Sequence, residues 1–270
     1  KDQIIKFLAY NGKISVVCCS TTNLVEEARK LHDLSPLATA TMGRVLTITA
    51  LIGAEMKNET DKLTIQIKGN GPIGKIVAVS DNTPNVKACI TNPHADLPLN
   101  EFGKLDVGGV VGYNGYVNVI KDIGLKEPYV GVIPISSGEI AEDFARYFTE
   151  SEQTRSAVAL GVLVDKNGVK KAGGYLLTAM PDATDEDITN DEIEKELNKT
   201  IKKVSEDYEE QKYNTAIAAM MTYVNLLYKQ EILLYKQEKA KISAAKIKQM
   251  RDAGIDVGDK VKAFVVGSFL

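Results

Sequence analysis

The chain lacks tryptophan, holds only 2 histidines and 3 cysteines, and carries no excess of positive charge. Each scarcity excludes something. A structural zinc site takes four ligands from spaced Cys and His residues. Cys18, Cys19 and Cys89 form no C-x-x-C pair, and His32 and His94 stand far apart in sequence, so no metal site is expected. The cysteines read instead as small buried hydrophobes in strands. A net charge of −3 argues against a general nucleic-acid binder, which shows a basic excess or a basic face. With aromatics at 6% there is no stacking platform for single strands. No apolar run reaches the ~18 residues that suggest a membrane span. Lys1 to Tyr10 shows no signal-peptide pattern. The expectation is a cytoplasmic protein with no membrane partner.

What is present is ordinary for a globular protein: 44% hydrophobic and 26% charged residues in a chain of 270. That length buries a core without disulfides or metal. Lys13 to Cys19 reads as a strand after an Asn11-Gly12 turn. Asn23 to Leu31 reads as a helix with Leu24, Ala28 and Leu31 on one face, capped by Thr22 or Asn23. Ser35-Pro36 opens a second helix, to about Met56, whose many small residues suggest burial on all sides. Leu63 to Lys68 alternates apolar and polar in strand fashion. Ile73–Ser80, Val86–Thr91, Leu105–Gly112, Tyr116–Asp122 and Tyr129–Ile135 are expected to continue an antiparallel sheet, with Asn114-Gly115 as a hairpin turn. A helix at Glu139–Glu150 follows, then strands at Ser156–Asp165 and Lys171–Met180. Separated runs of strands and helices give an α+β class: an antiparallel twisted sheet with packed helices, followed by an α-helical C-terminal segment.

After Pro181 the composition changes. Acidic residues crowd Asp182 to Glu196, and long amphipathic patterns follow with almost no Gly or Pro. Residues 1–184 are therefore expected to form the core domain and 185–270 a helical linker or tail.

No constellation supports catalysis. Gly69-Asn70-Gly71-Pro72-Ile73-Gly74 spells G-x-G-x-x-G, but β-branched Ile76, Val77 and Val79 follow, so a strand and not a phosphate-binding helix comes next. A hairpin turn explains it. Gly108-Gly109 and Gly173-Gly174 read as bulges or close approaches within strands. Cys89 and His94 lack an orienting third group. Ser136-Ser137-Gly138-Glu139 lacks the G-x-S-x-G frame and reads as a helix cap. Glu142-Asp143 reads as a solvated pair. The chain is not expected to be an enzyme.

Several segments together resemble one family. Gly69 to Gly74 followed by Ile76-Val77-Ala78-Val79 is one. Asn92-Pro93, Gly103-Lys104-Leu105-Asp106-Val107-Gly108 and Val119 to Leu125 continue it. So do Tyr129-Val130-Gly131, Ser137 to Asp143, Ser151 to Thr154, Ala159-Leu160-Gly161-Val162 and Ala172-Gly173-Gly174-Tyr175 with Pro181. In this order, over residues 1–188, they resemble the redox-regulated heat-shock-protein-33 chaperones. The resemblance implies an α+β core with a large twisted sheet and a helical linker that covers an apolar surface. It also implies a small C-terminal zinc domain with four cysteines. Oxidation would release zinc, unfold the linker and free the surface to hold unfolding clients without ATP, in a dimeric active form.

The cysteine pairs of that zinc domain are missing here, so no zinc cofactor is expected. Residues 191–229 instead resemble the helical anticodon-binding domain of leucyl-tRNA synthetases, through Lys199 to Asp207 and Tyr213 to Met221. The favoured expectation is an ATP-independent holdase that binds unfolding client proteins as a homodimer. The alternative is a tRNA-binding or synthetase-derived helical module fused to a structural α+β domain, with tRNA the less favoured partner. Adjacent strand residues point to opposite faces, so Cys18 and Cys19 cannot readily pair. The expected regulation is accordingly not a thiol switch. Ile193, Leu197, Ile201 and Val204 share one helical face and are expected to cover the apolar surface.

Overall fold

The computed structural model describes residues 2–9, 12–83 and 85–183. The chain divides into two compact units, Lys1–Leu8 with Ile14–Pro181 and Ala9–Lys13 with Asp182–Leu270. The expected helical tail at 185–270 lies outside the described residues.

Strands β1 (Gln3–Ala9) and β2 (Ile14–Ser20) come first, and helix α1 (Thr22–His32) follows. Its buried residues are Val25 and Ala28, while Leu31 is 74% exposed, so the inward face is turned from the expected one. Neither Thr22 nor Asn23 caps it. The Asp2 carboxylate does so from a distance, accepting the N–H groups of Asn23 at 3.0 Å and Leu24 at 2.8 Å. A carboxylate at a helix N-terminus satisfies orphan donors and meets the positive end of the dipole.

Helix α2 (Pro36–Gly53) begins as its sequence indicates: Ser35 Oγ accepts the Ala38 N–H at 3.1 Å, and Pro36 occupies the first turn. It is the core element, with every residue buried except Pro36 and Arg44. Its threonines are buried because Thr41, Thr47 and Thr49 each donate to the carbonyl four residues back, at 2.9, 2.7 and 2.6 Å. By length and composition this helix could cross a membrane, contrary to the expectation that no such run exists, but 89% of it is buried inside the fold.

Strands β3 (Lys62–Lys68), β4 (Lys75–Asp81) and β5 (Lys87–Ile90) follow, then α3 (Val107–Val111), β6 (Tyr116–Asp122) and β7 (Tyr129–Pro134). Helix α4 (Ala141–Glu150) leads to β8 (Ser156–Asp165) and β9 (Gly168–Ala179). The strands form two sheets and not one: four strands in the order β1-β2-β9-β8, and five in the order β5-β4-β3-β6-β7. Helix α2 packs against strands of both. Leu63, Ile65 and Ile67 enter the core on alternate positions of β3, as their period-2 pattern requires.

Leu105–Gly112 is not a strand. Asp106 caps a short helix there, accepting the Gly109 N–H at 2.8 Å. The carbonyls of Val111 and Val110 take the N–H groups of Gly71 at 2.9 Å and Ile73 at 3.1 Å. These bonds from a remote loop outweigh the strand preference of three valines. They also explain the glycine-rich turn between β3 and β4. A Cβ at Gly69 would sit 2.0 Å from the Val111 oxygen, and one at Gly71 2.3 Å from that of Val110. Gly108 and Gly109 are helical and not bulges. Asn114-Gly115 joins no hairpin, since β6 pairs with β3 and β7.

Candidate functional site

The four-stranded sheet has two unlike faces. On one, Val17, Leu176 and Val158 lie in register across β2, β9 and β8, as do Cys19, Gly174 and Leu160. This face meets α2: a Cβ at Gly174 would lie 3.1 Å from Thr47 Cγ2. Alternation sends the intervening residues the other way. There Cys18, Tyr175 and Ala159 form one row, and Val16, Leu177 and Ala157 the next. Apart from the Tyr175 hydroxyl and the Cys18 thiol, both rows are aliphatic.

An antiparallel sheet with a solvated face carries polar residues there. This face instead reads as one built to be covered. Val16 is 2% exposed although it stands apart from the core cluster around α2. Every residue of β8 from Ser156 to Val164 is half-buried. Burial raises the Cys18 thiol to about 11 and the Tyr175 hydroxyl above its usual range. Cys19, on the inner face, is pushed up to about 12, chiefly by burial and then by Cys18. Both thiols are protonated at neutral pH and are poor nucleophiles.

Cys89 departs from the buried reading: it is exposed on β5, opposite Val77 in the other sheet. The fold therefore does not gather the three cysteines, and they do not fit a four-thiolate zinc centre. Cys89 and His94 do not form a dyad either, since His94 Nε2 turns toward Asp33 Oδ2 at 3.8 Å.

A polar hub fixes α3 and α4 against α2. Arg44 donates to both the carboxylate and the backbone oxygen of Glu139, and Glu139 Oε1 accepts the Gly108 N–H at 3.3 Å. Asp143, expected to be solvated, is 1% exposed. Its Oδ1 accepts the N–H groups of Ser136 at 2.7 Å and Ser137 at 3.1 Å, which ties the chain entering α4 to the helix itself. Ile140 replaces the expected Ser137 or Gly138 as the cap position, at φ 67 and ψ −58. The hub is structural and holds no nucleophile poised on a base.

The tail residues Ile193, Leu197, Ile201 and Val204 lie outside the described residues. Sequence reading named none of the outer-row residues as a site. Their signal was apolar character at every position of 157–164 and 175–177, where a half-solvated strand would alternate.

A family model described as Hsp33 protein matches residues 2–245. The chain belongs to the Hsp33 family. A relative, the 33 kDa chaperonin of Clostridium beijerinckii, is 50% identical over 184 residues, which is 68% of this chain and 63% of that one. The 33 kDa chaperonin of Ruminiclostridium cellulolyticum is 48% identical over 196 residues, 73% of this chain and 66% of the other. The crystal structure of the Hsp33 homologue of Thermotoga maritima superposes with a TM-score of 0.67 at 41% identity, covering 74% of this chain and 66% of that one. The mixed α+β architecture thus matches a solved Hsp33. The matched part spans less than two thirds of these relatives' length. Hsp33 proteins are chaperones and not a class of enzyme, as the shared name chaperonin states. The match on the family model continues past residue 188, through the stretch 191–229 that was expected to resemble synthetases, so that stretch falls within the Hsp33 match.

Proposed function

We propose that this Hsp33 protein is an ATP-independent holdase that captures unfolding proteins on the outer face of its four-stranded sheet. The observation that carries this is the pair of apolar rows, Cys18-Tyr175-Ala159 and Val16-Leu177-Ala157, on the side of the sheet away from α2. A surface of this kind associates with apolar chain when uncovered and stays idle when covered. The segment carrying Ile193, Leu197, Ile201 and Val204 is the cover. Burying four such side chains contributes several kcal/mol, at about 1.5–3 each before ordering costs. That favours the closed state while leaving heat able to open it.

Regulation by zinc and disulfides is not part of this proposal, because the three cysteines of the sequence supply neither the ligands nor an adjacent reactive pair. The protein acts on unfolded or partly folded clients in the cytoplasm, as a homodimer, and catalyses no reaction. A tRNA-binding role is not favoured, since a net charge of −3 offers little to phosphates.

The test replaces Ile193, Leu197, Ile201 and Val204 by Ser in the full chain and follows light scattering from a heat-unfolding client under reducing conditions without ATP. Stronger suppression of aggregation than by the unaltered chain supports the cover. Unchanged suppression, with a strong gain on peroxide treatment, would replace it with a thiol switch.

A further inference from the structure

The two sheets end in four edge strands, β1 and β8 in one, β5 and β7 in the other. Three of them are anchored by packing. Val158 and Val162 of β8 pack against the core, Ala88 and Ile90 of β5 do the same, and Ile133 of β7 is a core residue. β1 differs. Ile4, Ile5 and Leu8 are 37%, 57% and 50% exposed, Phe7 is half-buried, and none of these four belongs to the core cluster. A cleft of about 1060 Å³ opens beside Asp2, Gln3 and Ile4, so the start of the strand lacks packing on that side as well. An element with few buried apolar contacts stands at the low end of a protein's range of local stability.

Two charged side chains clamp β1, and each meets a helix end of the opposite sign. The Asp2 carboxylate accepts the N–H groups of Asn23 and Leu24 at the positive start of α1. The Lys6 ammonium donates to the Ala54 backbone oxygen at 3.2 Å, at the negative end of α2, and pairs with Glu55 at 2.9 Å. The Lys6 and Glu55 side chains are 48% and 32% exposed, so salt reaches this clamp and weakens it.

We propose that β1 is a releasable strap. Its clamps let go before the rest of the fold opens, and its departure leaves the main-chain groups of β2 on that side unpaired. β2 carries Val16 and Cys18 of the outer rows, so release adds an open strand edge to the surface that holds clients. That last step rests on the holdase reading. The strap itself does not.

The full chain is followed by hydrogen exchange in reducing buffer, with α2 as the reference for global opening. Amides of β1 should exchange faster than those of α2, and faster still as salt is raised. Asp2→Asn combined with Lys6→Gln should speed β1 exchange about tenfold and leave α2 unchanged. Lys6→Arg, which keeps the charge, should retain most of the protection. A neutral double variant with unchanged β1 exchange, or β1 and α2 amides that open together, overturns the strap. A labelled peptide with the sequence of Gln3–Ala9 reports the vacated edge. It should bind the neutral variant more tightly than the unaltered chain and speed β1 exchange. A peptide that slows β1 exchange is pairing with β1 instead, and overturns release. Client light scattering separates the strap from the holdase. Stronger suppression by the neutral variant supports the added edge. Equal suppression by both chains leaves the holdase and removes the edge from it. Released β1 in a chain that suppresses nothing leaves the strap and removes the holdase.

Discussion

The backbone oxygen of Glu139 accepts both the Arg44 guanidinium at 3.2 Å and, across Ile140, the N–H of Ala141 at 2.8 Å. The second bond closes a γ-turn centred on Ile140, with φ 67 and ψ −58. This turn is rare and strained for any residue and more so for a β-branched one. Ile140 holds it because its side chain is fully buried and because Arg44 fixes Glu139 from α2. Glu139→Ala removes the carboxylate that Arg44 and the Gly108 N–H share and leaves Arg44 only the backbone oxygen. It should cost about 1–3 kcal/mol of stability. Urea unfolding measures that loss, and hydrogen exchange should accelerate first at Gly108 and Ala141.

Gly43 carries the approach of α1 to α2. A Cβ there would lie 2.7 Å from Val25 Cγ1 and 2.9 Å from Val162 Cγ2. Gly43→Ala should destabilise by about 1–3 kcal/mol through overpacking, reduced by the better helix propensity of alanine. Val25→Ala in the same chain should recover part of the loss. An additive double variant in a denaturation cycle would contradict the contact.

Acid should weaken the fold partly through Glu26. Its carboxylate is held at about 2, below the ordinary 4.5, chiefly by Arg29 and then by the Val169 N–H. The folded state therefore favours the ionised form. The contribution is complete above about pH 4.5 and disappears as pH falls through about 2. Asp61, Asp81 and Asp165 are lowered as well, so they share the acid slope. Glu26→Gln should flatten only part of the decline in urea stability from pH ~5 to ~2. An unchanged slope would deny Glu26 its role.

Thiol chemistry should follow exposure. Cys89 is exposed, while burial raises Cys18 and Cys19 to about 11 and about 12. Near neutral pH a thiol reagent should modify Cys89 quickly and the other two only on unfolding. Mass spectrometry of the labelled chain shows the order.

What the sequence made legible was local. The alternation of Leu63, Ile65 and Ile67 announced β3, and Ser35-Pro36 announced the start of α2. What it hid depended on partners distant in the chain. α3 was hidden because three valines favour a strand, while the bonds that hold its carbonyls come from Gly71 and Ile73. Asp143 looked solvated because its partners, the N–H groups of Ser136 and Ser137, are backbone groups on a preceding loop. The rows of the outer face stayed hidden for a similar reason. Cys18 meets Tyr175, and Tyr175 meets Ala159, only once β2 and β8 flank β9.

The most direct measurement is light scattering from a thermally unfolding client mixed with the full chain in reducing buffer, with no nucleotide, at rising temperature. Aggregation should be suppressed at near-equimolar chain, and Leu177→Asp, on the outer row, should abolish most of the effect without unfolding the protein. Undiminished scattering at every ratio, or full suppression by a folded Leu177→Asp chain, would contradict capture of clients on the outer face.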